Sequence, residues 1–187
     1  MAKVAKNVLT RGLSGKVGNL VVFRNNGEGT VLSSAPGKRS RPLTEEQLLH
    51  HQQFREAVIY AKSVMADPAM KSEYEPSVSN GVSVFNLAVA DFFKPPVITE
   101  MDISNYSGQA GGKIRVRATD NFRISEIRVA IFKADNTIVE SGVAAAEVNG
   151  LDWTYTATQV NNTTTGGRVV ATAVDRPGHQ VQMSQMI

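Results

Sequence analysis

Hydrophobic and polar positions change their spacing twice along this chain, and the changes divide it into three parts. Residues 17–24 and 30–34 are short apolar runs around a turn rich in Asn and Gly. This pattern predicts a β-hairpin, because Asn and Gly tolerate the positive φ angles of tight turns. A two-stranded hairpin is marginally stable in water, so this one must pack on something or pair its edges. We therefore expect residues 1–41 to form a strand arm and hairpin.

A helical pattern follows the hairpin. Thr44 and Gln47 form a capping box ahead of residues 45–66, and Asp67-Pro68 is expected to end that helix. A short turn of helix follows through Tyr74. Five apolar residues recur at helical spacing and are predicted to form the buried face of the long helix: Leu48, Phe54, Val58, Ala61 and Met65.

The segment 83–93 fits either a buried strand or a helix. We favour a helix, because Phe85, Val89 and Phe92 share one helical face, whereas strand alternation would place Asn86 and Ala88 opposite Phe85 and Leu87 with less burial. Two successive prolines then close the segment as a stiff spacer. Residues 42–96 are therefore predicted to be a helical segment.

From residue 97 onward the chain alternates apolar and polar residues in short runs separated by turns. Such texture is typical of an immunoglobulin-like (Ig-like) antiparallel β-sandwich, here without the disulfide of antibody domains. The predicted fold class is mainly β with a smaller helical part (α+β), with the sandwich over residues 97–187. The seven predicted strands are 97–103, 112–120, 124–133, 138–143, 151–159, 167–175 and 180–186.

Charge is distributed unevenly between the ends of the chain. Residues 1–41 contain eight Lys or Arg and one Glu, a net charge of +7, whereas residues 42–187 contain twelve cations and sixteen acids, a net charge of −4. The two parts can attract one another, within a chain or between copies. Nucleic acid, an acidic protein and another copy of this chain are therefore all candidate partners. The basic patch consists of Lys16, Lys38, Arg39 and Arg41.

Chemistry-bearing motifs are missing from the sequence. There is no cysteine, the adjacent His50 and His51 point about 100° apart on a helix, and His179 lies in a predicted turn. No nucleophile elbow or complete phosphate-binding loop occurs. We predict no catalytic, cofactor-binding or metal-ligating residues and no enzymatic activity. No transmembrane segment or classical signal peptide is expected either, so we expect a cytoplasmic protein or one exported by a non-classical route.

Two resemblances accompany these patterns. Residues 13–23, Leu-Ser-Gly-Lys-Val-Gly-Asn-Leu-Val-Val-Phe, resemble the opening of a family of short uncharacterised bacterial proteins with a Gly-Lys-Val-Gly-Asn hairpin. A basic Ser/Pro stretch and a Thr-x-x-Gln helix follow in that family, so the resemblance covers roughly residues 7–66; it implies a layout and no activity. Residues 171–178, Ala-Thr-Ala-Val-Asp-Arg-Pro-Gly, are similar to a late strand of bacterial Ig-like modules. That resemblance implies a spacer, an adhesive unit or an assembly contact.

The function expected from these observations is that of a non-enzymatic structural protein. It would self-associate into a filament or a closed oligomer by donating edge strands from its N-terminal arm, with the Ig-like domain as an outer or spacer module. One alternative is a nucleic-acid-binding protein with a basic arm. Another is a surface-adhesive module that uses Tyr106 or Tyr155 if these are exposed. The expected assembly residues are Val17, Leu20, Val22, Phe23, Arg24 and Val31.

Overall fold

The structure is a computed structural model that describes residues 2–3, 10, 12–25, 29–37, 42–79 and 81–187. The chain forms two compact units, one drawn from residues 1–51 and 79–81 and the other from residues 52–78 and 82–187. The described elements are mainly β with a smaller helical part, which confirms the predicted fold class. The domain boundaries expected at residues 41 and 96 stay predictions.

The first unit contains a four-stranded antiparallel sheet, called here the N-terminal sheet, with the order β1-β4-β3-β2. The predicted hairpin is the pair β3 and β4. The apolar run 17–24, expected to be one strand, is interrupted by a turn at residues 18–20, and its first part pairs back on β3 as a separate edge strand. The strands are β1 (Ala2–Lys3), β2 (Gly15–Val17), β3 (Val21–Asn25) and β4 (Thr30–Ser34).

The long helix α1 spans Glu45–Ala66, the range predicted from its capping box and the following Asp-Pro. Thr44 N donates to Gln47 Oε1 and Gln47 N donates to Thr44 Oγ1, each at 3.3 Å. The predicted buried face is wrong, however, since only Ala61 of the five expected residues is fully buried. The other fully buried residues of the helix are Ala57 and Val64. Small side chains form the contact because they allow a helix to pack closely, which a search for large apolar residues does not detect.

Two shorter helices follow. Asp67 ends α1 and caps α2 (Pro68–Tyr74), because its Oδ1 accepts hydrogen bonds from the backbone N–H groups of Ala69 and Met70. A 3₁₀ turn, Glu75–Ser77, comes next. The ambiguous segment is a helix, α3 (Val84–Phe92), as favoured from its spacing, and Ser83 caps its first turn.

The sandwich is formed by two antiparallel four-stranded sheets with the orders β5-β6-β10-β9 and β12-β11-β7-β8. Immunoglobulin folds have one sheet with the strand order A-B-E-D and a second with the order G-F-C, and the two sheets here follow the same orders. One strand, β8, is added at the edge of the second sheet next to β7. Buried residues alternate along β6, β7 and β11, so one face of each sheet contributes to a shared core. The short β9 was not predicted. The strands are β5 (Val97–Asp102), β6 (Lys113–Thr119), β7 (Ile124–Phe132), β8 (Ile138–Val143), β9 (Ala145–Ala146), β10 (Asp152–Thr156), β11 (Arg168–Asp175) and β12 (Gln180–Met186).

Candidate assembly surface

Among the residues that the structure describes, the N-terminal sheet has no hydrophobic core of its own. Of its residues with described side chains, only Thr30 is fully buried, and its hydroxyl accepts a hydrogen bond of 3.1 Å from Gly12 N. Both clusters of buried hydrophobic residues lie outside this sheet. A sheet normally needs a covered hydrophobic face for stability, so this one offers surface for a further contact.

The strand register shows which side chains share a face of this sheet. Val17 pairs with Val21, and Phe23 pairs with Leu32. Paired residues project to the same side, and positions two apart on one strand do so as well. These four side chains therefore form one surface, called here the apolar face, and each is at least partly exposed to solvent.

The opposite side of the sheet has a different character. Lys16 pairs with Val22, and Arg24 pairs with Val31, so both cations lie on what we call the basic face. The two cationic residues are exposed, whereas Val22 and Val31 are partly buried. The N-terminal sheet thus carries apolar and cationic surfaces on opposite sides.

The edge strand β2 and the turn after it add exposed hydrophobic area. Within the part of the chain that the structure describes, β2 pairs with β3 alone, so the main-chain groups along its other edge have no strand partner. Val17 on this strand is 58% exposed and Leu20 in the following turn is 80% exposed. The turn is held by a 2.8 Å hydrogen bond from Ala35 N to Leu20 O. Exposed apolar side chains therefore lie beside a strand edge that has no partner among the described residues.

The structure divides the expected assembly residues between these surfaces. Val17 and Phe23 belong to the apolar face, Leu20 to the adjoining turn, and Val22, Arg24 and Val31 to the basic face together with Lys16. The remaining residues of the expected basic patch, Lys38, Arg39 and Arg41, lie outside the described residues. The sequence analysis did not select Val21 and Leu32 of the apolar face. In a run of consecutive apolar residues, only the strand register shows which side chains share a face.

Asp175 and His179 have a structural role in the turn between β11 and β12. Asp175 Oδ1 accepts from the backbone N–H groups of Gly178 and His179, and its Oδ2 lies 2.7 Å from His179 Nδ1. This arrangement holds the turn between β11 and β12. Within the described residues, no group of three His, Cys, Asp or Glu side chains is arranged to hold a metal ion. None of the described helices is both long and apolar enough to cross a membrane.

The two tyrosines considered for an adhesive surface are both buried. Tyr106 belongs to the sandwich core, and the Tyr155 hydroxyl donates a 3.1 Å hydrogen bond to Glu140 Oε2. Burial, followed by the hydrogen bond to this carboxylate, raises the pKa of Tyr155 to about 12. Neither ring can therefore serve as an exposed platform, and the adhesive alternative loses the aromatic residues on which it depended.

Comparisons with known proteins place the chain in no group. No known protein family matches its sequence, and no curated protein does so either. Among solved structures, it is similar to a crystal structure of an engineered protein from the Northeast Structural Genomics Consortium, with 19% sequence identity and a TM-score of 0.34. The similarity covers 55% of this chain and 25% of that one.

Proposed function

We propose that this protein is a non-enzymatic structural component that self-associates through its N-terminal sheet, with the Ig-like sandwich as an outer or spacer module. The observation that carries the proposal is an apolar face beside a strand edge that has no partner among the described residues. Val17 and Leu20 expose large apolar side chains beside that edge. Pairing of β2 with a strand of another copy would satisfy main-chain groups and cover these side chains together.

Charge supports association between copies of this chain. The N-terminal 41 residues have a net charge of +7 and the remainder a net charge of −4. Opposite net charges speed encounter between unlike parts of two molecules, although they do not determine the final contact. A head-to-tail contact repeated in one direction would produce a filament, and the same contact closed by rotation would produce a ring.

The test replaces Val17 and Leu20 with lysine in the full-length protein. Full burial of a Val or Leu side chain contributes about 1.5–3 kcal/mol. Scaling by the exposed fractions of 58% and 80% gives about 3 kcal/mol for the pair. The association constant should therefore fall about 150-fold. Val148→Lys is the matched control, because Val148 is fully exposed on the sandwich.

Light scattering over a range of concentrations, with negative-stain microscopy, measures the outcome. The wild-type protein and Val148→Lys should form the same particles, and Val17→Lys/Leu20→Lys should remain monomeric at those concentrations. Particles of unchanged size in the double variant would refute the proposed surface. A wild-type protein that is monomeric at every concentration would refute self-association itself.

Nucleic-acid binding is the second candidate, supported by the location of Lys16 and Arg24 on one face. Electrostatic binding to phosphates weakens steeply with salt, whereas an apolar contact persists. Lys16→Glu/Arg24→Glu should abolish salt-sensitive binding of a labelled oligonucleotide if this candidate is correct. Under the assembly proposal, those changes leave the particles formed in high salt intact.

A further inference from the structure

The second compact unit contains a buried polar chain that has no part in the proposed assembly. Tyr60 on α1 and Tyr74 on α2 have their hydroxyl oxygens 2.8 Å apart, and Tyr74 OH donates a 2.6 Å hydrogen bond to Asp91 Oδ2 on α3. Tyr74 and Asp91 are completely buried. Side chains from three helices are thus linked in a row that ends at one carboxyl group, and we call these three residues the tyrosine–aspartate chain.

The tyrosine–aspartate chain lies where the helices contact two turns of the sandwich. The Tyr74 ring stacks on Phe122 with 3.9 Å between ring centroids, and the Phe92 and His179 rings form a T-shaped pair with 5.2 Å between centroids. Glu73 on α2 forms an ion pair of 2.7 Å with Arg176. The two helices that carry Tyr74 and Asp91 therefore also contact the sandwich.

The ionised form of Asp91 is poorly accommodated at this position. No donor among the described residues reaches its Oδ1, so Tyr74 OH is the one described donor to the carboxylate. A buried carboxylate with incomplete hydrogen bonding is unstable relative to the neutral acid. The neutral acid has no charge to solvate and can still exchange a hydrogen bond with Tyr74 in either direction.

Charged and titratable groups from each neighbouring element also act on Asp91. Tyr60 and Tyr74 lie on the helices, Asp120 follows β6, Asp175 ends β11, and His179 begins the return to β12. Together these groups raise the pKa of Asp91 from 3.8 to about 6; burial is the main cause, and the charges of Asp120 and Asp175 also raise it. The hydrogen bond from Tyr74 and the charge of His179 act in the opposite direction.

We propose that Asp91 makes the packing of the helices on the sandwich sensitive to pH: the neutral carboxyl holds them in place and the carboxylate loosens them. The direction of the pH dependence follows from the pKa of Asp91 in the open and the packed states. In the open state Asp91 ionises at its ordinary pKa, near 3.8, and in the packed state near 6. The packed state therefore has its full stability below pH 3.8 and loses it progressively as the pH rises to about 6.

Amide hydrogen exchange of α2 and α3 in the full-length protein tests this proposal. After correction for base-catalysed exchange, protection of these helices should fall about tenfold from pH 5 to pH 7.5. Trp153 provides a second signal, because it lines the same groove of about 490 Å³ as Phe122. Its fluorescence should change over the same pH range.

Three variants identify the group responsible. Asp91→Asn should abolish the fall in protection, and His179→Gln should retain it. Asp102→Asn, a carboxylate on β5 outside the region, should behave as the wild type. If Asp91→Asn does not fold, Tyr74→Phe is measured instead; loss of its hydrogen bond should move the transition to higher pH. Unchanged protection in the wild type, an unshifted transition in Tyr74→Phe, or a fall that persists in Asp91→Asn would overturn the proposal; disappearance of the fall in His179→Gln would assign it to the histidine instead.

Discussion

Removal of the Glu140 carboxylate should strongly destabilise the sandwich. Glu140 lies on the edge strand β8, yet its side chain points inward and is nearly buried. Its Oε2 accepts four hydrogen bonds, from Tyr155 OH at 3.1 Å, Thr158 N at 2.9 Å, Thr158 Oγ1 at 2.8 Å and Gln159 N at 3.2 Å. The carboxylate therefore fastens the segment after β10 to the edge of the opposite sheet.

The magnitude follows from the donors left behind in Glu140→Ala. Tyr155 is buried, so its hydroxyl is left without a partner, whereas Thr158 and Gln159 are exposed and their donors can turn to water. An unsatisfied buried donor costs about 1–3 kcal/mol. With a smaller contribution from the part-buried Thr158 bonds, we expect the free energy of unfolding to fall by about 2–3 kcal/mol.

Urea unfolding followed by Trp153 fluorescence measures this loss, since Trp153 is the sole tryptophan and packs against the sandwich core. With a slope of about 2 kcal/mol per molar urea, the midpoint should fall by about 1–1.5 M. Glu126→Ala is the control and should lower the free energy of unfolding by under about 0.5 kcal/mol, because Glu126 makes a surface ion pair with Arg128. A loss below about 1 kcal/mol in Glu140→Ala would refute the reasoning.

Two further predictions concern the sandwich. Asp152 accepts hydrogen bonds of 2.7 and 2.8 Å from Arg117, which together with Asn149 lower its pKa to about 2. The wild type should therefore lose stability as the pH falls from 4 towards 2 more steeply than Asp152→Asn in urea titrations, and parallel curves would contradict this. Gly142→Ala would place a Cβ 2.9 Å from the Tyr155 ring and should lower stability by about 1–3 kcal/mol in thermal unfolding, whereas Gly37→Ala, with no atom within 4 Å, should not.

Local signals in the sequence were sufficient for the boundaries of the long helix but not for the contacts between elements. Helix α1 begins and ends where its capping box and Asp67-Pro68 predict, because both signals act through neighbouring backbone groups. Its buried face depends on what packs against it. Ala57 and Ala61 are fully buried on that face, whereas Leu48 and Phe54 remain about half exposed.

The two proposed functional regions show the same limit. The apolar and basic faces follow from a register that a turn at residues 18–20 determines, and the apolar run around that turn resembles one strand. The tyrosine–aspartate chain joins residues that are at least 14 positions apart, on three helices. One signal was available for it: Asp91 is the only charged residue within α3. A carboxyl in such a segment usually has a specific partner.

The separation of the N-terminal sheet into two unlike faces restricts how its turns can evolve. Side chains alternate along a strand, so a single inserted residue between β2 and β3 that shifts their pairing by one position would exchange the two sides of β2. Lys16 would then lie on the apolar face, and Val17 would lie on the basic face with Arg24. Related proteins should therefore vary the length of the 18–20 turn by even numbers of residues, or leave it unchanged, while substitutions that keep the alternation accumulate freely.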